Sequence, residues 1–187
     1  MSRKPKRGGI PAAAAVVRIK ILTVGSGATG KSCLVKRFCE ERFVSKYIAT
    51  IGVDYGVKPC DVDGSSVRVN FWDLSGHPEF FEIRNEFYKE AQGIVLVYDA
   101  SSRDSFEDLD DWISEATKFG VNINDIPVVL CANKIDKRRM VTEDEGRQYA
   151  STKGMRYFET SAMSGANVSE MFQDLFTLAV RKAKAIT

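Results

Sequence analysis

Eight consecutive residues, Gly25-Ser26-Gly27-Ala28-Thr29-Gly30-Lys31-Ser32, constrain the fold of this chain more than any other segment. They read G-x-x-x-x-G-K-S. An apolar, β-branched run from Val16 to Val24 precedes them, and a segment with helical patterning, 31–41, follows. Glycines at these places let the backbone curl until successive N–H groups point at one phosphate. The N-terminal end of the helix adds a partial positive charge at the same spot. Lys31 can then reach the outer phosphates, and the Ser32 hydroxyl can ligate a magnesium ion. With ordinary composition, such a match in a chain of this length arises by chance in under about 1% of cases.

The rest of the sequence alternates strand and helix. The segments 54–61 and 66–72 read as strands joined around Asp63-Gly64, a hairpin turn signal. Residues 93–98 and 127–131 are short, continuous apolar runs, as expected of buried parallel strands, and 155–159 is a last short strand. Segments 104–119 and 142–153 read as helices, the second opening on Thr142 and Glu145 as a capping box. The final helix carries Val168, Met171, Phe172, Leu175, Phe176 and Ala179 as one apolar stripe. The expected fold is α/β: a doubly wound, six-stranded, mostly parallel sheet with one antiparallel strand and five helices. Ligands of such sheets bind beyond the C-terminal strand ends, so motifs that follow strands carry weight.

Four do. Asp73-Leu74-Ser75-Gly76 follows the third strand, where Asp73 can hold a magnesium ion through water and the Gly76 N–H can reach a terminal phosphate. Thr50, between the first helix and the second strand, can close over the same ion. Asn133-Lys134-Ile135-Asp136 follows the fifth strand. A carboxylate there accepts from both N1–H and N2–H of guanine and would face the wrong pattern on adenine, leaving a buried group unpaired. Ser161-Ala162 follows the last strand, where a backbone N–H can meet guanine O6. Taken singly, the last three motifs are weak; their order behind the phosphate loop gives them meaning.

Composition bounds the partners. Lys and Arg number 27 against 25 Asp and Glu, a net charge of +2, which argues against nucleic acid as a default partner. Residues 1–15 are expected to form a flexible basic arm, 16–184 one domain, and 185–187 a short tail. The four cysteines, Cys33, Cys39, Cys60 and Cys131, include no C-x-x-C pair, which fits reduced thiols in a cytoplasmic setting. Ser2 rather than Gly after Met1, and no cysteine near the last residue, lead to the expectation of no intrinsic lipid anchor.

In this order, GSGATGKS, Thr50, DLSG, NKID and Ser161-Ala162 resemble the small GTPases of the Ras superfamily over roughly residues 16–182. The segments TIGVDYGV (50–57), WDLSG (72–76) and NEFYKEAQGIVLVYD (85–99) look most like the Rab branch, and within it the RJL (RabJ-like) group, some of whose members append a DnaJ domain that is absent from this sequence. The resemblance implies a P-loop G domain that binds GTP and GDP with Mg²⁺. It implies nucleotide contacts from Gly25, Gly27, Ala28, Thr29, Gly30, Lys31, Ser32, Cys33, Phe43, Tyr47, Thr50, Gly76, Asn133, Lys134, Asp136, Ser161, Ala162 and Met163. Phe43 would pack on the guanine ring and Tyr47 would flank the phosphates. Ser32, Thr50 and Asp73 would hold the metal, and Lys31, Thr50, Gly76 and His77 would carry the hydrolysis. Effectors would bind residues 43–55 and 74–88, with Tyr55, Trp72 and Phe87 as an aromatic triad facing them; plain core packing is the other reading of those three. An activating protein and an exchange factor are implied partners, the expected state is a monomer, and a nuclear or ciliary location rests on family resemblance alone.

Departures from the pattern matter. His77, the single histidine, stands where Ras-like proteins place the glutamine that orients the attacking water. An imidazole cannot both accept from that water and donate to the γ-phosphate as an amide does, so slow intrinsic hydrolysis is expected. A binding module that never turns over on its own is the alternative, and a surface histidine without a part in the chemistry is a third reading. Gly27 leaves room for an arginine supplied by a partner. Pro78 is expected to stiffen the segment after His77. Met163 replaces the usual lysine after Ser161-Ala162, a small change if backbone contacts to guanine remain.

Overall fold

A computed structural model describes residues 16–186 of the chain. The expected arm at 1–15 and the final residue 187 lie outside the described residues. Six strands form one sheet: β1 (Val17–Val24), β2 (Val53–Val62), β3 (Ser65–Leu74), β4 (Gly93–Asp99), β5 (Val128–Asn133) and β6 (Arg156–Glu159). Their order is β2-β3-β1-β4-β5-β6, with β2 antiparallel to β3 and every other pairing parallel. The β2–β3 turn uses Asp63 and Gly64, both at positive φ, 49° and 72°. That is the left-handed pair a two-residue hairpin needs.

The helices are α1 (Lys31–Glu40), α2 (Phe81–Asn85), α3 (Arg103–Glu107), α4 (Leu109–Lys118), α5 (Glu143–Thr152) and α6 (Val168–Ile186), with a 3₁₀ turn at Pro78–Phe80. The segment expected as one helix at 104–119 is divided at Asp108 into α3 and α4. The ladder runs on through the division, because the Asp108 N–H donates to the Asp104 carbonyl and the Trp112 N–H to the Asp108 carbonyl. Counted as one rod, these two bring the helices to the expected five. At α5 the Thr142 side chain accepts from the Glu145 N–H and Glu145 accepts from the Thr142 N–H, the reciprocal cap legible in sequence. Helix α6 runs past residue 184 through Ile186.

The sheet buries both faces over its middle strands. On one face, Ile19, Ile21, Val69 and Phe71 meet Leu34 and Phe38 of α1 and the stripe Met171, Phe172, Leu175 and Phe176 of α6. On the other, Leu22, Leu96 and Leu130 meet Leu109, Trp112 and Ala116 of α4 and Ala150 of α5. All seven residues of β4 are buried, which explains why that strand reads as an unbroken apolar run. This double cover leaves the C-terminal strand ends as the open edge, where the loops after β1, β3, β5 and β6 gather. Among the described residues no helix is long and apolar enough to cross a membrane.

Candidate functional site

The loop after β1 is shaped by three left-handed residues, Gly25 (φ 137°), Ala28 (φ 60°) and Gly30 (φ 95°). A side chain at Gly25 would place its Cβ 2.1 Å from the Val97 carbonyl oxygen of β4, and one at Gly30 would stand 2.3 Å from Asn133 Nδ2. Both glycines are therefore required by close approach as well as by conformation. The loop encircles the Lys31 ammonium, which donates to the Gly25 carbonyl at 2.7 Å and to the Ser26 carbonyl at 2.9 Å. Lys31 is only 6% exposed. Burial pulls its pKa down to about 8 against the opposing pull of the Asp73 carboxylate, with Arg84 adding to the drop.

Asp73, at the end of β3, is buried in turn, and burial holds its carboxyl above the usual range despite Lys31 and the hydroxyls of Ser32 and Thr23. Thr23 donates to its Oδ1 at 2.7 Å, and Ser32 donates to its Oδ2. Thr50 Oγ1 lies 2.9 Å from Ser32 Oγ and 3.4 Å from Asp73 Oδ2. Three hard oxygen donors from three separate segments thus converge on one point. Among the described residues no group of three or more His, Cys, Asp or Glu gathers, so a cation at this point shares its shell with hydroxyls and ligand oxygens. That donor set suits Mg²⁺, which takes few protein ligands alongside phosphate. A buried cation beside a buried anion also fits a ligand that brings both phosphate and metal, since each protein charge gains the partner its burial denies it.

The loops after β5 and β6 complete the enclosure. Asn133 is 1% exposed and works as a clasp. Its Nδ2 donates to the Thr29 carbonyl at 2.9 Å, while its Oδ1 accepts from Thr160 Oγ1 at 3.1 Å and from the Ala162 N–H at 3.2 Å. Of the Ser161-Ala162 pair, expected to offer a backbone N–H to guanine O6, both N–H groups are engaged within the chain: that of Ala162 by Asn133, and that of Ser161 by the Ala166 carbonyl at 3.2 Å. Lys134, at a left-handed φ of 64°, donates to the Ala28 carbonyl and pairs with Asp99 at 2.7 Å. Ser161 Oγ donates to Asp136, fixing the carboxylate expected to read the base.

A cavity of about 290 Å³ runs from Gly27 and His77 at one end to Asp136, Ala162 and Met163 at the other, with Phe43, Tyr47 and Thr50 as its outer wall. Gly30, Lys31, Ser32, Cys33, Gly76, Asn133 and Lys134 line its floor. Of the expected site residues, Gly25, Thr29, Ser161 and Asp73 stand behind this lining, and Thr29 closes the loop by donating to the Ser26 carbonyl at 2.9 Å. The space expected over Gly27 is taken by the His77 ring, whose Cε1 would lie 3.2 Å from a Cβ built there. Pro78 sits at the first position of the 3₁₀ turn, where its missing N–H costs nothing.

A match to the family model described as Ras family spans residues 20–181. The chain belongs to the Ras family. This Ras-family chain is 52% identical over 165 residues to the human protein named DnaJ homolog subfamily C member 27, an alignment covering 86% of this chain and 60% of the relative. The zebrafish (Danio rerio) protein of that name is 50% identical over 166 residues, 86% of this chain and 61% of the relative. A Xenopus laevis relative, DnaJ homolog subfamily C member 27-A, is 49% identical over 169 residues, 88% and 62%. The chain spans about three fifths of the length of these curated relatives. The expected RabJ-like grouping agrees with them.

Several residues that position this Ras-family site are fixed by no motif, Ser26 standing at a variable place of the phosphate loop. Arg37 of α1 donates from Nε to the Ala162 carbonyl at 2.8 Å and from NH2 to the Met163 carbonyl, tying the base loop to the first helix. Ser26 donates to Asp108 at 2.7 Å and accepts from the Trp112 indole at 3.1 Å, tying the phosphate loop to the start of α4. Lys36, Lys46 and Lys137 also face the cavity. Their only sequence signal is a basic residue near a motif, which is too common to single them out. Tyr55, Trp72 and Phe87 form a continuous stack, with ring centroids 4.6 Å and 5.0 Å apart. Trp72 and Phe87 also pack on the core, and Tyr55 is exposed at the outer end of the stack.

Proposed function

We propose that this chain is a guanine-nucleotide switch that binds GTP and GDP with Mg²⁺ and hydrolyses GTP slowly. The observation that carries the reading is the convergence of the phosphate loop, the Ser32–Thr50–Asp73 oxygens and the Asp136–Ser161 pair on one cavity. Lys31 and the loop N–H groups bind the outer phosphates, and Asp136 selects guanine by accepting from N1–H and N2–H. Ser32, Thr50 and Asp73 hold the metal. Bound there, Mg²⁺ supplies charge neutralisation at the phosphate oxygens.

Thr50 and Gly76 lie on segments that contact the phosphate side, so loss of the γ-phosphate releases both segments, 43–55 and 74–88. Effectors read those segments in the GTP form, with an exchange factor and an activating protein as further partners. The chain acts as a monomer in the cytoplasm, and nucleic acid has no part in it. Hydrolysis is slow because His77 stands where an amide would both orient water and donate to the γ-phosphate.

Titration of the purified protein with GDP, GTP and ATP in the presence of Mg²⁺ tests the assignment. Guanine nucleotides should bind far more tightly than ATP, and ATP binding of equal strength would overturn it. Single-turnover hydrolysis compared with His77→Gln tests the rate; equal rates would remove His77 as the cause of slow turnover.

A further inference from the structure

Tyr47 Oη lies 2.8 Å from His77 Nε2. Tyr47 belongs to the segment between α1 and β2, and His77 to the segment after β3, so this hydrogen bond joins the two segments directly across the phosphate loop. The imidazole lies against Gly27, its Cε1 and Nε2 3.2 Å and 3.3 Å from where a Cβ on that residue would stand. The backbone of His77 is fastened independently. Its carbonyl accepts from Arg84 NH1 at 2.7 Å, and its N–H donates to Ser75 Oγ at 3.3 Å. Arg84 is itself held by Glu115, so the backbone under the ring has little freedom. The freedom that remains lies in the two side-chain torsions, and the bond to Tyr47 holds both.

An imidazole nitrogen has a single hydrogen-bonding site: it accepts in one tautomer and donates in the other. While Tyr47 uses Nε2, that nitrogen can neither accept from an attacking water nor donate to a phosphate oxygen. The ring also fills the space beside Gly27 through which a partner's arginine would approach the phosphates. We propose that Tyr47 is a positioning residue that parks His77 over Gly27, and that this latch restrains GTP hydrolysis until it opens. The proposal rests on the GTPase reading above and goes beyond it, because it assigns the restraint to a contact between two segments rather than to the histidine alone.

The test uses the whole chain loaded with GTP, with hydrolysis followed over a single turnover so that nucleotide affinity does not enter. Tyr47→Phe keeps the ring and removes the hydroxyl at an exposed position, 58% accessible. It should raise the rate about fivefold, the worth of one neutral hydrogen bond. The same substitution in a His77→Ala background should lose most of that rise, because the ring that Tyr47 parks is gone; a rise of equal size there would overturn the latch. His77 is the only histidine, so its ring nitrogens give one set of nitrogen resonances. The Nε2 signal should shift on Tyr47→Phe. An unmoved signal overturns the latch whatever the rates. A moved signal with an unchanged or lower rate overturns the restraint. Failure of the underlying reading would appear separately, as wild-type protein that cannot be loaded with guanine nucleotide, and the ring signal of the unloaded protein would still judge the latch.

Discussion

The Arg84 guanidinium grips the Glu115 carboxylate through two parallel bonds, Nε to Oε1 at 2.7 Å and NH2 to Oε2 at 2.8 Å. Tyr88 adds a third donor to the same carboxylate at 2.8 Å, and the guanidinium lies over the Trp112 ring at 4.7 Å. The segment after β3 is thereby pinned to α4, the helix that also holds Ser26 of the phosphate loop. Removing one partner of a buried pair leaves the other charged and unpaired. Glu115→Ala should therefore cost about 3 kcal/mol of folding stability, read as a lower urea midpoint at unchanged slope. Glu115→Gln, which keeps one acceptor, should lose less. A loss for Glu115→Ala as small as that of an exposed ion pair would contradict the assignment.

Gly76 has no room for a side chain. A Cβ there would stand 2.3 Å from the Gly27 nitrogen and 2.4 Å from the Ser26 carbonyl carbon, both backbone atoms that cannot turn aside. Gly76→Ala should leave a folded protein that binds GDP but cannot draw the segment after β3 onto the phosphate loop. The two tryptophans, Trp72 and Trp112, both neighbour that segment and serve as reporters. Wild type should change its emission between GDP and a non-hydrolysable GTP analogue, and Gly76→Ala should show no difference.

The oxygen cluster of Ser32, Thr50 and Asp73 predicts a metal effect on nucleotide release. Chelating Mg²⁺ with EDTA removes charge-assisted contacts worth roughly 1.5–3 kcal/mol each, so GDP release should accelerate about 10–100-fold. Asp73→Ala should already release quickly and respond little to EDTA. Equal sensitivity in the variant would place the metal elsewhere.

Glu145 predicts a pH dependence of stability. Its carboxyl is held down at about 2 by Arg103 first and by the Thr142 N–H and hydroxyl after it. A carboxyl whose pKa is lowered by folding stabilises the protein above its ordinary value and loses that contribution as pH falls through the folded value. Wild type should therefore melt above Glu145→Gln at neutral pH, with the gap narrowing from about pH 4.5 toward about pH 2. Thermal melts of the pair across that range check the sign; a gap that widens on acidification would refute it.

Much of this was readable in the chain because the signals are local. The phosphate loop follows its strand at once, the Thr142–Glu145 cap spans one turn, and the stripe on α6 repeats at the helical period. The division at Asp108 was not readable, since apolar spacing continues through it. Nor were Arg37, Ser26 and Arg84, whose partners lie far off in sequence: Ala162 for Arg37, Trp112 for Ser26, Glu115 for Arg84. A single arginine or serine carries no periodicity, and only the closed fold chooses its acceptor. The ring of His77 over Gly27 belongs to the same class. The sequence offers a small glycine and a bulky histidine and says nothing of their meeting.

The clasp formed by Asn133 has a consequence for how a ligand enters. It fastens the phosphate loop, through Thr29, to the loop after β6, through Ala162, by protein groups alone. The floor that meets base and phosphates is thereby tied into one plate by the chain's own hydrogen bonds. The entropic toll of association falls almost wholly on the outer wall, Phe43 to Thr50, and docking should proceed in two stages: rapid seating on the plate, then slower folding-over of the wall.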